Sequence, residues 1–196
     1  PVKRERARRL RRQTKPMLLI GSPMCKAFSI LQQWNYPRMD PRKVNEIVKD
    51  AETHLLFCIE LYWEQIQDGL YFLHEHPERA TSWKLREMIN LVEQPGVFRI
   101  TGDMCRFDMK TYDIDGEGLV LKPTGWATNS PEIAYELNLR CTNKDPQQPW
   151  HRHIQLVDGK AHACEVYPPL LVDAILRGLK NQLLGDGTLS PLEIGT

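Results

Sequence analysis

A thiol and a carboxyl each follow an apolar run of strand length. Met17-Leu18-Leu19-Ile20 leads into Gly21-Ser22-Pro23-Met24-Cys25, and Leu70-Tyr71-Phe72-Leu73-His74 leads into Glu75-His76-Pro77. Open α/β sheets bind ligands at the carboxyl ends of their strands, so adjacent parallel strands would bring Cys25 and Glu75 into one cleft. A thiolate nucleophile beside a proton-transferring carboxyl is a workable pair for covalent catalysis. Taken singly, each has a plainer reading: Cys25 as a small buried hydrophobe, Glu75 as a capping or ion-paired carboxylate.

A second group offers metal chemistry. Cys141, His151, His153 and Cys164 are soft ligands in a short span, and Trp150-His151-Arg152-His153 on a strand would turn both imidazoles to one face. Zinc takes such sets tetrahedrally. The spacing matches no standard zinc pattern, however, and paired histidines on a strand face are more often plain surface, so the sequence assigns no metal ligand. Asp113-Ile114-Asp115-Gly116-Glu117 lacks the later ligands of a calcium loop and reads as a hairpin turn. Of the tryptophans, Trp63 and Trp83 sit at core spacing; Trp34 and Trp126, in loop-like segments, are the candidates for stacking contacts.

The elements that would position these groups alternate. A basic helix spans about 2–14, a strand 17–20, and a Pro-broken loop 34–41. Asp40 caps a long amphipathic helix through Ile66 that Gly69 ends. Strand 70–74, helix 81–93 and strand 97–101 follow, then a hairpin (112–114 with 119–121), a helix from Pro131 to about Arg140 and a last helix at 169–184. Strand, helix, strand, helix, strand predicts an α/β fold with a mostly parallel sheet and crossover helices. The expected organisation is a basic segment 1–15, one α/β domain 16–184 and a fraying tail 185–196.

Composition limits the classes. The chain has 196 residues and a net charge of +1, with no apolar stretch of bilayer-spanning length and none long enough for a secretory signal, so no membrane partner is expected. Five scattered cysteines without a CxxC pair argue for reduced thiols inside the cell, with the nucleus as one candidate location. The first fifteen residues concentrate positive charge. Arg4, Arg8, Arg9, Arg11 and Arg12 are candidates for nucleic-acid phosphate contact; the plainer reading is a solvated helix with Ala7 and Leu10 toward the core.

The stretch Gly21–Ser29 resembles the Gly-Gly-Pro-Pro-Cys-Gln-x-Phe-Ser loop of the cytosine-C5 DNA methyltransferases, with Pro23, Cys25, Phe28 and Ser29 in register. Glu75-His76-Pro77 is similar to that family's Glu-Asn-Val loop. Lys122-Pro123-Thr124, Thr128-Asn129 and Tyr167-Pro168-Pro169-Leu170 extend the likeness toward methyltransferase-like segments of Copia-type retroelement polyproteins. The resemblance covers about residues 16–180. It implies a Rossmann-like domain in which Cys25 adds to C6 of a flipped cytosine, Glu75 contacts the base, and Lys122, Thr124 and Asn129 line the substrate side. It implies S-adenosylmethionine as cofactor and nucleic acid, DNA before RNA, as partner. Met24 and His76 depart from the family pattern, and no Phe-x-Gly-x-Gly cofactor loop is present. The domain is therefore expected to be incomplete at its cofactor half, with that loop on an upstream polypeptide, or degenerate. The alternative is a non-catalytic nucleic-acid-binding or assembly module keeping the same fold.

Overall fold

The computed structural model describes residues 2–156 and 164–190. The chain divides into two compact units, one formed by Pro1–Arg99 with Ala127–Ser130, the other by Ile100–Trp126 with Pro131–Thr196.

The first unit begins with helix α1 (Val2–Thr14), strand β1 (Leu18–Gly21), a 3-10 turn at Lys26–Phe28 and the short helix α2 (Ile30–Asn35). Helix α3 (Pro41–Gln67) follows as sequence dictates: Pro41 sits in the first turn, and the Asp40 carboxylate accepts from the Arg42 amide at 2.9 Å. Its apolar face, with Ala51, Leu55, Ile59 and Tyr62, joins Phe72, Trp83, Met88 and Leu91 in the unit's core. Strand β2 (Tyr71–Pro77) pairs with β1 in parallel, Leu18 opposite Tyr71 and Gly21 opposite His74. Up to this point α3 is the expected crossover. The predicted helix 81–93 is broken, however, into a 3-10 turn at Thr81–Lys84 and helix α4 (Arg86–Val92), with Leu85 extended between them.

Strand β3 (Phe98–Asp103) is followed by a 3-10 turn (Met104–Phe107) that Asp108 ends in the left-handed region at φ 58°. Strands β4 (Lys110–Asp113) and β5 (Gly116–Leu121) form the expected antiparallel hairpin, Gly116 taking φ +96° at the turn. Strand β6 (Pro123–Thr128), helix α5 (Pro131–Leu137), strand β7 (His153–Gln155) and helix α6 (Pro169–Gly185) follow among the described residues. In the second unit α6 packs closely on α5. A Cβ added at Gly178 would lie 2.7 Å from Ile133 Cα, so only glycine permits this approach.

The predicted Rossmann-like, mostly parallel fold is not what forms. The described residues form two small sheets, one of four strands in the order β1-β2-β6-β3 and one of three in the order β4-β5-β7. The second is mixed, with β4–β5 antiparallel and β5–β7 parallel. The physical reason lies after β3, where a four-residue 3-10 turn and a hairpin replace the helical crossover that a parallel neighbour needs. β6, unforeseen as a strand, then takes the place beside β2. Of the expected tail 185–196, residues 191–196 lie outside the described residues. No described helix is long and apolar enough to cross a membrane.

Candidate metal centre

Four side chains of the second unit converge: the ligand atoms of Cys105, Cys141, His151 and His153 all lie within 4.8 Å of one another. Each is placed by a separate piece of local structure. Cys105 is buried in the 3-10 turn after β3. Cys141 follows α5, its amide donating to Asp103 Oδ2 at 2.7 Å. The Asn143 side chain clasps His151 twice, accepting from its amide at 3.0 Å and donating to its carbonyl at 2.7 Å. His153 begins β7, opposite Leu119 of β5. Between the histidines Arg152 takes the other face, as strand alternation requires. It grips the Asp113 carboxylate at 2.8 Å and the Gly116 and Glu117 carbonyls at 2.7 and 2.9 Å, pinning the hairpin turn.

The separations fit a single tetrahedral ion. Cys141 Sγ lies 3.5 Å from His151 Nε2 and 3.6 Å from His153 Nε2. Zinc bonds of about 2.3 Å to sulfur and about 2.05 Å to nitrogen place tetrahedral S···N edges at about 3.5 Å. The two Nε2 atoms, 2.9 Å apart with rings nearly perpendicular, are closer than the regular edge of about 3.3 Å. Sulfur charge is provided for as well: the Asn143 amide donates to Cys141 Sγ at 3.4 Å.

Burial first, then Cys141 and the Asp103 charge, pushes the Cys105 thiol up to about 12. Burial, then His151, lowers His153 against the opposing pull of Asp103. Without a cation the cluster thus favours a neutral thiol at Cys105 and a neutral imidazole at His153. A dication would reverse the balance at the sulfur by stabilising thiolate.

The sequence groups Cys141, His151 and His153 with Cys164 without assigning them a metal; in the cluster Cys105 stands in place of Cys164. Cys164, buried elsewhere, accepts from Lys122 Nζ through its carbonyl at 3.3 Å and is not in the cluster. Cys105 gave little signal in the sequence, being far upstream in a chain segment with no ligand neighbour.

The other site expectations fall in both units. In the first unit Glu75 is not at a loop but inside β2, and it is buried. His74 and His76 share one face of β2, and Glu75 leaves from the other. The Cys25 loop meets the His76 face: His76 Nε2 lies 3.0 Å from Pro23 O and its ring is 5.7 Å from that of Phe28. Cys25 itself is half-buried ahead of the 3-10 turn, and Ser29 caps α2 by accepting from the Gln32 amide. Asn129 secures the β2 backbone, accepting from the Phe72 amide and donating to the Leu70 carbonyl, both at 2.9 Å. Lys122 and Thr124 belong to the second unit, where Thr124 is fully buried.

Of the basic helix, Arg8 pairs with Glu60 at 2.7 Å, Arg12 with Glu64 at 3.3 Å, and Arg11 with Glu64 and Asp68 at 3.3 and 2.8 Å. Arg4 and Arg9 are exposed on its surface. Arg11, not the expected Leu10, is the buried residue of α1; Leu10 is exposed. Trp34 is exposed but lies in helix α2 rather than in a loop, and Trp126 is wholly buried.

The methyltransferase expectation is therefore corrected. The sheets do not form an S-adenosylmethionine-binding Rossmann core, and the clustered chemistry is a soft-ligand set rather than a cofactor cleft. Nor does the fold support a non-catalytic module keeping that architecture. Comparisons with protein-family models, with curated proteins and with solved structures found no match.

Proposed function

We propose that the second unit is a zinc-binding module whose ion, held by Cys105, Cys141, His151 and His153, is structural. The observation that carries this reading is the convergence of two thiols and two imidazoles to within 4.8 Å. A two-sulfur, two-nitrogen set at tetrahedral spacing suits zinc, and excludes the oxygen-rich octahedral sites of magnesium or calcium. Four protein ligands leave no open position for a reacting water, which separates structural from catalytic zinc.

The ion has a clear task. Its ligands come from the turn after β3, the segment after α5 and the start of β7, and the chain between Cys141 and His151 has neither helix nor strand. Closing them on one ion fixes β7 against β5 and the residues after α5 against the turn, so binding free energy becomes folding free energy for this unit.

The test is metal content and spectroscopy on the full chain. Protein refolded with zinc and dialysed should retain one equivalent. Cobalt(II) should give intense tetrahedral d–d bands with sulfur-to-metal charge transfer. Cys105→Ser and Cys141→Ser should each abolish tight retention, while Cys164→Ser should retain the ion. Retention lost in Cys164→Ser but kept in Cys105→Ser would refute the assignment.

A further inference from the structure

We propose that Asp103 is the positioning residue of this centre, joining the two cysteine-bearing segments before any ion arrives; the inference rests on the zinc reading above. Asp103 is 5% exposed, an unusual place for a carboxylate. Its backbone stands immediately ahead of the 3-10 turn that carries Cys105. Its amide donates to Leu139 O at 2.9 Å, and its Oδ2 accepts from the Cys141 amide at 2.7 Å and from Arg140 Nε at 3.1 Å. One residue therefore grips three successive positions of the opposing segment, through both main chain and side chain.

The grip determines where both sulfurs lie. Cys105 is two residues beyond Asp103 in a tight turn, and Cys141 is bonded to it directly. With its amide engaged by Asp103, Cys141 can turn its sulfur toward the Asn143 amide and the two histidines. Charge adds to position. Two thiolates, two neutral imidazoles and a dication sum to zero, so the Asp103 carboxylate and the Arg140 guanidinium form a separate, self-neutralising pair beside the ligands. Partners that orient metal ligands typically change affinity by about 10–100-fold when removed.

The full-length chain, stripped of metal, is titrated with cobalt(II) and then with zinc against a chromophoric chelator, for wild type, Asp103→Asn and Asp103→Ala. Alanine removes both the acceptor and the charge, and should weaken zinc by about 10–100-fold and shift the cobalt d–d bands as the sulfurs relax. Asparagine keeps an acceptor oxygen but loses the charge-assisted bonds to the Cys141 amide and Arg140, and should keep the wild-type band positions while losing about tenfold in affinity. A residue serving only the stability of the unit would lower its unfolding temperature equally with and without metal, leaving affinity and bands unchanged; that result overturns the proposal. Should the alanine variant fail to fold, the asparagine variant decides: wild-type affinity overturns the proposal, and weaker binding with wild-type bands supports it. Wild-type protein that takes up no cobalt refutes the metal centre itself, and the role of Asp103 with it.

Discussion

Each unit carries a His-x-His pair, His74 and His76 within β2, His151 and His153 at the entry to β7, and the two pairs have opposite fates. His74 and His76 of β2 have ring centroids 4.8 Å apart, and His151 and His153 lie 4.6 Å apart. In the first unit the surroundings engage three of the four ring nitrogens, and His74 Nε2 is buried without a hydrogen-bond partner. A carbonyl can only accept, so His76 Nε2 donates to Pro23 O, which leaves Nδ1 to accept from Ser82 Oγ at 2.6 Å. His74 Nδ1 meets the Tyr62 hydroxyl at 3.0 Å, with Trp83 edge-on to its ring. In the second unit the same spacing faces sulfur instead of hydroxyl and carbonyl. The lesson is that His-x-His on a strand supplies only half a metal site. The opposing segment decides whether the imidazoles become core hydrogen-bonders or ligands.

The contrast can be broken most forcefully by chelation. With zinc a thousandfold above its dissociation constant, removing it should cost the second unit about 4 kcal/mol, read as a lower unfolding temperature for that unit alone. Equal losses in hydrogen-exchange protection in the first unit would remove the distinction between the histidine pairs.

Acid should act in the first unit. Burial, opposed by the Pro23 carbonyl and reinforced by His54, lowers His76 to about 4, and burial with the nearby His76 holds His74 well below its ordinary value. For a group whose folded pKa is depressed, the unfolded chain binds more protons between the two values. Stability contributed by neutral His76 is therefore full above about pH 6.5 and lost as pH falls toward 4, worth up to about 3 kcal/mol. Denaturant titrations from pH 7 to 4 check it, and His76→Gln should flatten the profile.

Gly178→Ala sharpens the comparison from the other side. The added Cβ would meet the Ile133 backbone at 2.7 Å, so the second unit should lose about 1–3 kcal/mol while still binding one equivalent of metal. The smallest effect belongs to Asp40→Ala in the first unit. Losing the cap on α3 should cost about 1 kcal/mol and leave metal affinity unchanged, as a denaturant midpoint and a zinc titration would show.

Local chemistry made much of the chain legible. Apolar spacing and the Asp40-Pro41 start located α3, the Asp115-Gly116 pair located the β4–β5 turn, and Pro169 with its apolar stripe located α6. Longer-range inference was less secure. The sequence places Glu75 just past a strand at 70–74, yet β2 continues through Pro77, where buried polar residues find partners. Trp126 lies in a segment that looks loop-like in sequence, with Pro123 and Gly125 close by, yet it is buried in β6. Both errors treated polar or turn-forming residues as boundaries where tertiary partners override them.

By itself the sequence determined the one-sided placement of His151 and His153, since alternation along an extended chain needs no knowledge of the fold. It could not determine which cysteine completes the set. Loop-closure entropy rises only slowly with the length of the intervening chain, so nearness in sequence gave Cys164 no decisive advantage over Cys105. Only the tertiary structure, through the turn after β3 and the buried Asp103 that ties it to Cys141, brought the fourth ligand into reach.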